Sequence, residues 1–265
     1  MDNPQRIANR HRPRPAWRLI SGMALCLLLV STQIHSGHDA RQAHPFIVSG
    51  VILNSDAASH IEDFAKLLGK AAGYPLRVRF VDSYNALSTA LREDPSAIGW
   101  TCGAAFVEDR IRDDQQLVSI PLFRGQPTYH SLIITRRGRT EASLLDFQGQ
   151  ILAYSDGRSN SGYVVPAYQL KQAGFAIRNY FRLLLHTGNH ERSIEAVLNG
   201  LADIAAVDEY VWVEYLKIHP GIANELHEIE RFGPFPFTPV VAGKAVDRHT
   251  LERLQQTLSE LAQSP

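Results

Sequence analysis

The 265-residue chain carries 27 basic and 27 acidic side chains and no formal net charge, which excludes the broad basic face that nucleic-acid binding requires. Its only cysteines, Cys26 and Cys102, exclude a disulfide-stapled scaffold. With 45% hydrophobic residues, it holds enough apolar content for one large domain or two lobes of about 100 residues each.

Residues 1–43 open with five arginines, Arg6, Arg10, Arg12, Arg14 and Arg18, run on through apolar residues from Leu19 to Val30, and end in small and polar residues. This is the layout of a secretory signal. The apolar run is about a dozen residues, short of the ~20 that a spanning helix needs. The mature chain is expected to begin between Ser36 and Phe46 and to reside in the periplasm. Cys26 is followed by further apolar residues and does not suit lipid attachment. Taking the segment's six basic and two acidic residues from the totals leaves 21 basic against 25 acidic. In such a mildly acidic protein, any anionic partner would have to be held by local geometry and not by overall charge, and Cys102 has no internal disulfide partner.

From Phe46 onward, β-branched runs alternate with stretches of helical period, the pattern of α/β layers on mainly parallel sheets. Strands are predicted at Phe46 to Leu53, Leu76 to Val81, Ala97 to Thr101, Leu117 to Leu122, Ser131 to Thr135, Gln150 to Tyr154, Tyr180 to Leu185 and Asp203 to Val207. Helices fit between them. Ile61, Phe64, Leu67, Leu68 and Ala71 form one apolar face that stops at Gly73, and Ile194, Val197, Leu198 and Leu201 form another that stops near Gly200. A final helix over Asp247 to Ala262 carries Leu251, Leu254, Leu258 and Leu261 on one stripe.

The polar, glycine-containing segment Arg136 to Thr140 reads as a lobe boundary. A second crossing is expected near Phe232 to Pro239, where three prolines and three phenylalanines cluster. If the last helix packs on the first lobe, residues 44–135 plus 236–265 form that lobe and 136–235 form an inserted second one. Two crossing strands then make a hinge, and hinged lobes close around ligands.

Four segments can carry a site. Ser155 to Leu170 passes from a strand into a helix through Ser159, Asn160, Ser161 and Gly162. A helix start leaves about four N–H groups unpaired and adds partial positive charge, both of which suit an anion. Pro166 is tolerated there if it lies in the first turn. In the second segment, Leu185 to Asp208, His190 opens a helix where its ring can donate to an anion. Asp208 ends a buried strand, where it can accept from a protonated ligand oxygen and turn away anions without a proton. Thr101 and Cys102 follow the third strand, and Asn54 follows the first. Each of these residues also fits an ordinary helix cap or a small core residue, and those alternatives stay open.

In this order the chain resembles the phosphate/phosphite/phosphonate-binding proteins of ABC importers, a branch of the type 2 periplasmic-binding-protein fold. SDGRSNSGYVVP is similar to the family's aspartate-proline-x-Ser-Thr-Ser-Gly loop. HTGNHERSIEAVLNGLADIAAVD is similar to its histidine loop, helix and Gly-x-x-Asp-x-Ala-x-x-Asp run. The resemblance implies an anion-gripping loop at Ser159, Asn160 and Ser161, a ligand-facing His190 and a ligand-facing Asp208, with Thr101 and Cys102 near the first-lobe contact. Asn160 replaces the family's middle threonine, Gly157 stands where proline is usual, and Cys102 replaces an aromatic residue. The implied function is capture of a small oxyanion, without chemistry, by a monomeric receptor serving a membrane permease or, alternatively, a membrane sensor. No cofactor, metal or nucleic acid is expected. An enzyme is disfavoured because no Gly-x-Ser-x-Gly elbow is present and because His186 and His190 are read as ending a strand and opening a helix, not as sharing a helical face.

Overall fold

The computed structural model describes residues 43–51 and 57–263. The expected signal segment lies outside the described residues apart from Ala43, and Asn54 lies outside them as well.

The chain builds two five-stranded sheets. The first starts with β1 (His44–Ser49), β2 (Leu76–Val81), β3 (Ile98–Trp100) and β4 (Gln116–Ser119), joined by helices α1 (Ala57–Ala71), α2 (Tyr84–Glu93) and α3 (Gly103–Asp113). The second holds β5 (Thr128–Arg136), β6 (Ile151–Tyr154), β7 (Leu183–His186), β8 (Ile204–Asp208) and β9 (Leu226–Pro236). Its helices are α4 (Val165–Gln172), α5 (Ile177–Tyr180), α6 (His190–Leu198) and α7 (Glu209–Ile218). The chain then returns through β10 (Val240–Ala242) and ends in α8 (Arg248–Leu261). Strand orders are β2-β1-β3-β10-β4 and β7-β6-β8-β5-β9.

Residue type explains the placement of these elements. Phe46, Ile47 and Val48 in β1 are all fully buried, as expected of a central strand with parallel neighbours on both sides and helices on both faces. One side of the sheet packs Ile61, Ala65 and Leu68 of α1 and Leu254 of α8 against Phe46, Val48 and Ile98. The other side packs Leu87 and Leu91 of α2 and Phe106 of α3 against Ile47 and Val241. The last helix therefore does return to the first lobe, with Leu251 and Leu258 partly buried beside Leu254. Leu67, expected on the apolar face of α1, is instead half exposed. In the second sheet, Leu132 and Ile134 of β5 face a core with α6 and α7, while Ile133 faces one with Leu170 and Phe147.

The first crossing differs from the expected one. The strand around Ser131 to Thr135 belongs to the second sheet: β5 pairs antiparallel with β8, Ser131 opposite Asp208, and with β9. The chain thus changes sheets between β4 and β5, and Arg136 to Thr140 only leads away from the far end of β5. An apolar run such as Leu132 to Ile134 specifies a buried strand but not which sheet buries it. At the second crossing, Phe232 to Pro236 are still part of β9, and the return is confined to 237–239. Pro234 and Pro236 read as a loop, yet β9 is the edge of its sheet, where a missing N–H leaves no ladder bond unmade. Both sheets are mixed: β10 runs antiparallel to β3 and β4, and β5 antiparallel to β8 and β9. Tyr180 also departs from expectation, since it closes α5 and β7 begins only at Leu183.

Candidate functional site

The carboxyl ends of β3, β6 and β8 lead into the segments that bear the candidate residues, as is usual for ligand sites of open α/β sheets. After β6, the loop from Ser155 enters a π-helical turn at Asn160–Val164 that continues as α4, with Pro166 in its first turn. Ser159 caps this start, its Oγ accepting from the N–H of Gly162 at 3.1 Å. A β-carbon on Gly162 would lie 2.5 Å from Ser155 Oγ and 3.2 Å from His190 Cε1. Only glycine lets the turn approach these side chains so closely.

His190 is the first residue of α6, capped by Asn189, and is 1% exposed. Its Nδ1 accepts from the N–H of Asp208 at 3.2 Å, while Nε2 stands 3.2 Å from Ser155 Oγ and 3.3 Å from Ser159 Oγ. With Nδ1 accepting, the neutral ring carries its proton on Nε2, directed at the two hydroxyls. Burial pushes its pKa down from 6.5 to about 3. The ring holds Ser155 and Ser159, the hydroxyls behind the turn.

Asp208 is both the end of β8 and the cap of α7, accepting from the N–H of Tyr210 at 2.8 Å. Burial raises its pKa from 3.8 to about 7, and the opposing hydrogen bonds from the α7 amides and the Ser161 hydroxyl are weaker. Ser161 also bonds the hydroxyl of Tyr129, and its carbonyl accepts from Ser131 Oγ at 2.7 Å. The carboxyl of Asp208 and the first residues of the turn thus share one buried space.

The first lobe closes that space. Cys102, at the start of α3, is 2% exposed, and its Sγ accepts from the N–H of Asn160 at 3.0 Å. Asn160 Nδ2 in turn donates to the Tyr129 hydroxyl at 3.2 Å. Burial raises the Cys102 thiol to about 11 and the Tyr84 and Tyr129 phenols well above 10. All three therefore stay neutral and protonated near neutral pH. Thr101 is fully buried, and its Oγ1 has no hydrogen-bond partner among the described residues.

The fold thus brings together Ser159, Asn160, Ser161, Gly162, His190, Asp208 and Cys102, with Thr101 adjacent in sequence. Sequence reasoning missed Tyr84, Tyr129, Ser131 and Ser155. Ser131 begins a strand expected in the first lobe, Tyr129 lies before the expected start of that strand, and Ser155 stands ahead of the polar residues of its loop. Nothing in the sequence around Tyr84 marks it. Among the described residues, no group of three or more His, Cys, Asp or Glu side chains is arranged to hold a metal ion.

Over residues 51–265 the chain matches the family described as the periplasmic phosphonate substrate-binding protein of ABC transporters. The chain belongs to this family. A probable phosphite-binding protein of an ABC transporter from Prochlorococcus marinus is 26% identical over 170 residues, 62% of this chain and 57% of that protein. The match therefore spans little more than half of that relative. A crystal structure of a binding-protein component of an ABC phosphonate transporter from Pseudomonas aeruginosa superposes with a TM-score of 0.69 at 23% identity, covering 81% of this chain and 73% of the other. A methylphosphonate complex from Prochlorococcus marinus gives 0.68 at 20% identity, covering 82% and 83%. These superpositions show the fold to be the two-lobed one of type 2 periplasmic binding proteins.

Proposed function

We propose that the chain is the extracytoplasmic receptor of an ABC importer and captures a singly protonated phosphorus oxyanion, a phosphonate or phosphite, in the space between its lobes. One observation carries this reading: the donor turn at Asn160 and Ser161 meets Asp208, a buried carboxyl that becomes a pure acceptor as it ionises above about pH 7. The amides and hydroxyls of the turn supply donors for the ionised oxygens. Once ionised, Asp208 forms a bond that an anion already bearing a proton can satisfy and sulfate cannot, because two facing acceptors buried together are costly. His190 contributes by fixing Ser155 and Ser159, and Cys102 and Thr101 bound the solute from the first lobe. Membership of the family and the likeness to a methylphosphonate complex support the same reading. The receptor acts as a monomer whose closed form is presented to a membrane permease.

Titration calorimetry at pH 8, where Asp208 is ionised, with methylphosphonate, phosphite, phosphate and sulfate tests it. Binding of methylphosphonate or phosphite with no heat from sulfate is expected. Equal affinity for sulfate removes Asp208 as the reader of the proton, and no binding of any of the four sinks the assignment of the solute.

A further inference from the structure

The donor loop bears more than the residues that would grip an anion. Arg158, just before Ser159, sends its guanidinium out of the second lobe and into the first. Nη2 donates to Asp109 Oδ1 at 2.6 Å and to the carbonyl of Ala105 at 3.1 Å, Nη1 donates to Ser88 Oγ at 2.6 Å, and Nε donates to Glu108 Oε2 at 2.9 Å. Ser88 Oγ also contacts Asp109 and Tyr84 O. Every one of these partners lies on α2 or α3. Two positions earlier, Asp156 accepts from the N–H of Tyr84 at 3.2 Å, while its other oxygen accepts from the N–H of Arg158 at 2.7 Å. The loop is therefore tied to the first lobe immediately before its donors begin.

This is no ordinary surface ion pair. The Arg158 side chain is 13% exposed and that of Asp109 is 0% exposed, and the planar fork of arginine fits several acceptors at fixed angles. Asp109 has a second cation as well: Arg112 Nη2 donates to the same Oδ1 at 2.5 Å and is itself half exposed. If the lobes part, Asp109 keeps Arg112. The contact with Arg158 can then be made and broken without stranding a buried carboxylate, whose uncompensated charge would be costly.

We propose that Arg158 is the positioning residue of the site, a charge latch that holds the donor loop against α2 and α3 and so sets how much of the protein is in the closed, binding-competent form. The proposal rests on the solute reading above only for its ligand probe. Arg158 does not touch the solute; it acts through the lobe position and through Ser159 to Ser161. Because apparent affinity scales with the competent fraction, loss of the latch weakens binding without removing any donor.

The test compares wild type, Arg158→Ala and Arg158→Lys by methylphosphonate calorimetry and by small-angle X-ray scattering with and without that ligand. Arg158→Ala should bind about tenfold more weakly, as expected for losing charge-assisted bonds that exist only on closure. Its ligand-free radius of gyration should exceed that of wild type and return to the wild-type value at saturating ligand. Arg158→Lys keeps the charge but not the fork; it should fall between the two and guards against an alanine variant that fails to fold. Wild-type affinity and wild-type scattering in both variants overturn the latch. If wild type binds no methylphosphonate, the solute reading fails, yet the ligand-free scattering still decides the latch: expansion upholds it and an unchanged profile overturns it.

Discussion

The main-chain N–H of Asp208 donates to Nδ1 of His190 across 3.2 Å, joining two of the buried ionisable groups of the site through one hydrogen bond. The bond fixes the tautomer of the ring, and through the ring it fixes Ser155 and Ser159. Both groups are held far from their ordinary ionisation ranges, in opposite directions.

His190 stays neutral in the native protein down to about pH 3, whereas in the unfolded chain it gains a proton below about 6.5. The unfolded state therefore binds more protons in that window. The histidine's contribution is present above about pH 6.5 and is lost as the pH falls toward 3. Between pH 7 and 5 the wild type should lose about 2 kcal/mol more stability than His190→Gln, given ~1.36 kcal/mol per pH unit. Denaturant melts at the two pH values measure this, and parallel losses would show that the ring is not held neutral.

Asp208 has the opposite sign. Its native pKa of about 7 lies above its ordinary 3.8, so the folded state holds the extra proton between those values. Its contribution is greatest below about pH 4 and is lost as the pH rises through 7. Asparagine can still cap the N–H of Tyr210 but cannot ionise. The melting temperature of Asp208→Asn relative to wild type should therefore be higher at pH 8 than at pH 5. The same variant should bind sulfate better.

Gly162→Ala places a methyl group 2.5 Å from Ser155 Oγ and 3.1 Å from Ser159 Oγ. The turn must shift or the hydroxyls must rotate off His190. Overpacking of this kind costs about 1 to 3 kcal/mol, and methylphosphonate affinity should fall by about tenfold or more, since the donors move with the turn. Wild-type affinity would mean that the turn is not the grip.

Leu254→Ala tests the architecture away from the site. The side chain is fully buried between α8 and the first sheet, and truncation should cost about 2 to 5 kcal/mol in denaturant melts. A cost under 1 kcal/mol would mean that α8 adds little to the first lobe.

Legibility in the sequence followed the reach of each signal. The alternation of apolar residues with arginine in Leu76 to Phe80 and the four-residue leucine stripe of α8 are local patterns, and both elements stand where those patterns put them. The caps Ser159 and Asp208 were legible for the same reason. Sheet membership was not, because Leu132 to Ile134 can be buried by either sheet. β9 was hidden by Pro234 and Pro236, whose tolerance depends on an edge position that only the tertiary fold defines. Tyr84 meets the site only through a contact across dozens of residues, its N–H pairing with Asp156, and the partners of Arg158, a neighbour of the site in sequence, are as distant, Ser88 among them.

The placement of β10 also bears on how the molecule assembles. Residues 128–236 supply every strand of the second sheet without interruption, so that half can form from contiguous chain. The first sheet cannot. Its strand order puts Val240–Ala242 between β3 and β4, so an interior rung is missing until the polypeptide has passed through the entire other half. Such distant pairing is slow because the loop must close before the contacts reward it. The first sheet should therefore be the last to gain amide protection in pulsed hydrogen exchange, although it begins nearer the amino terminus.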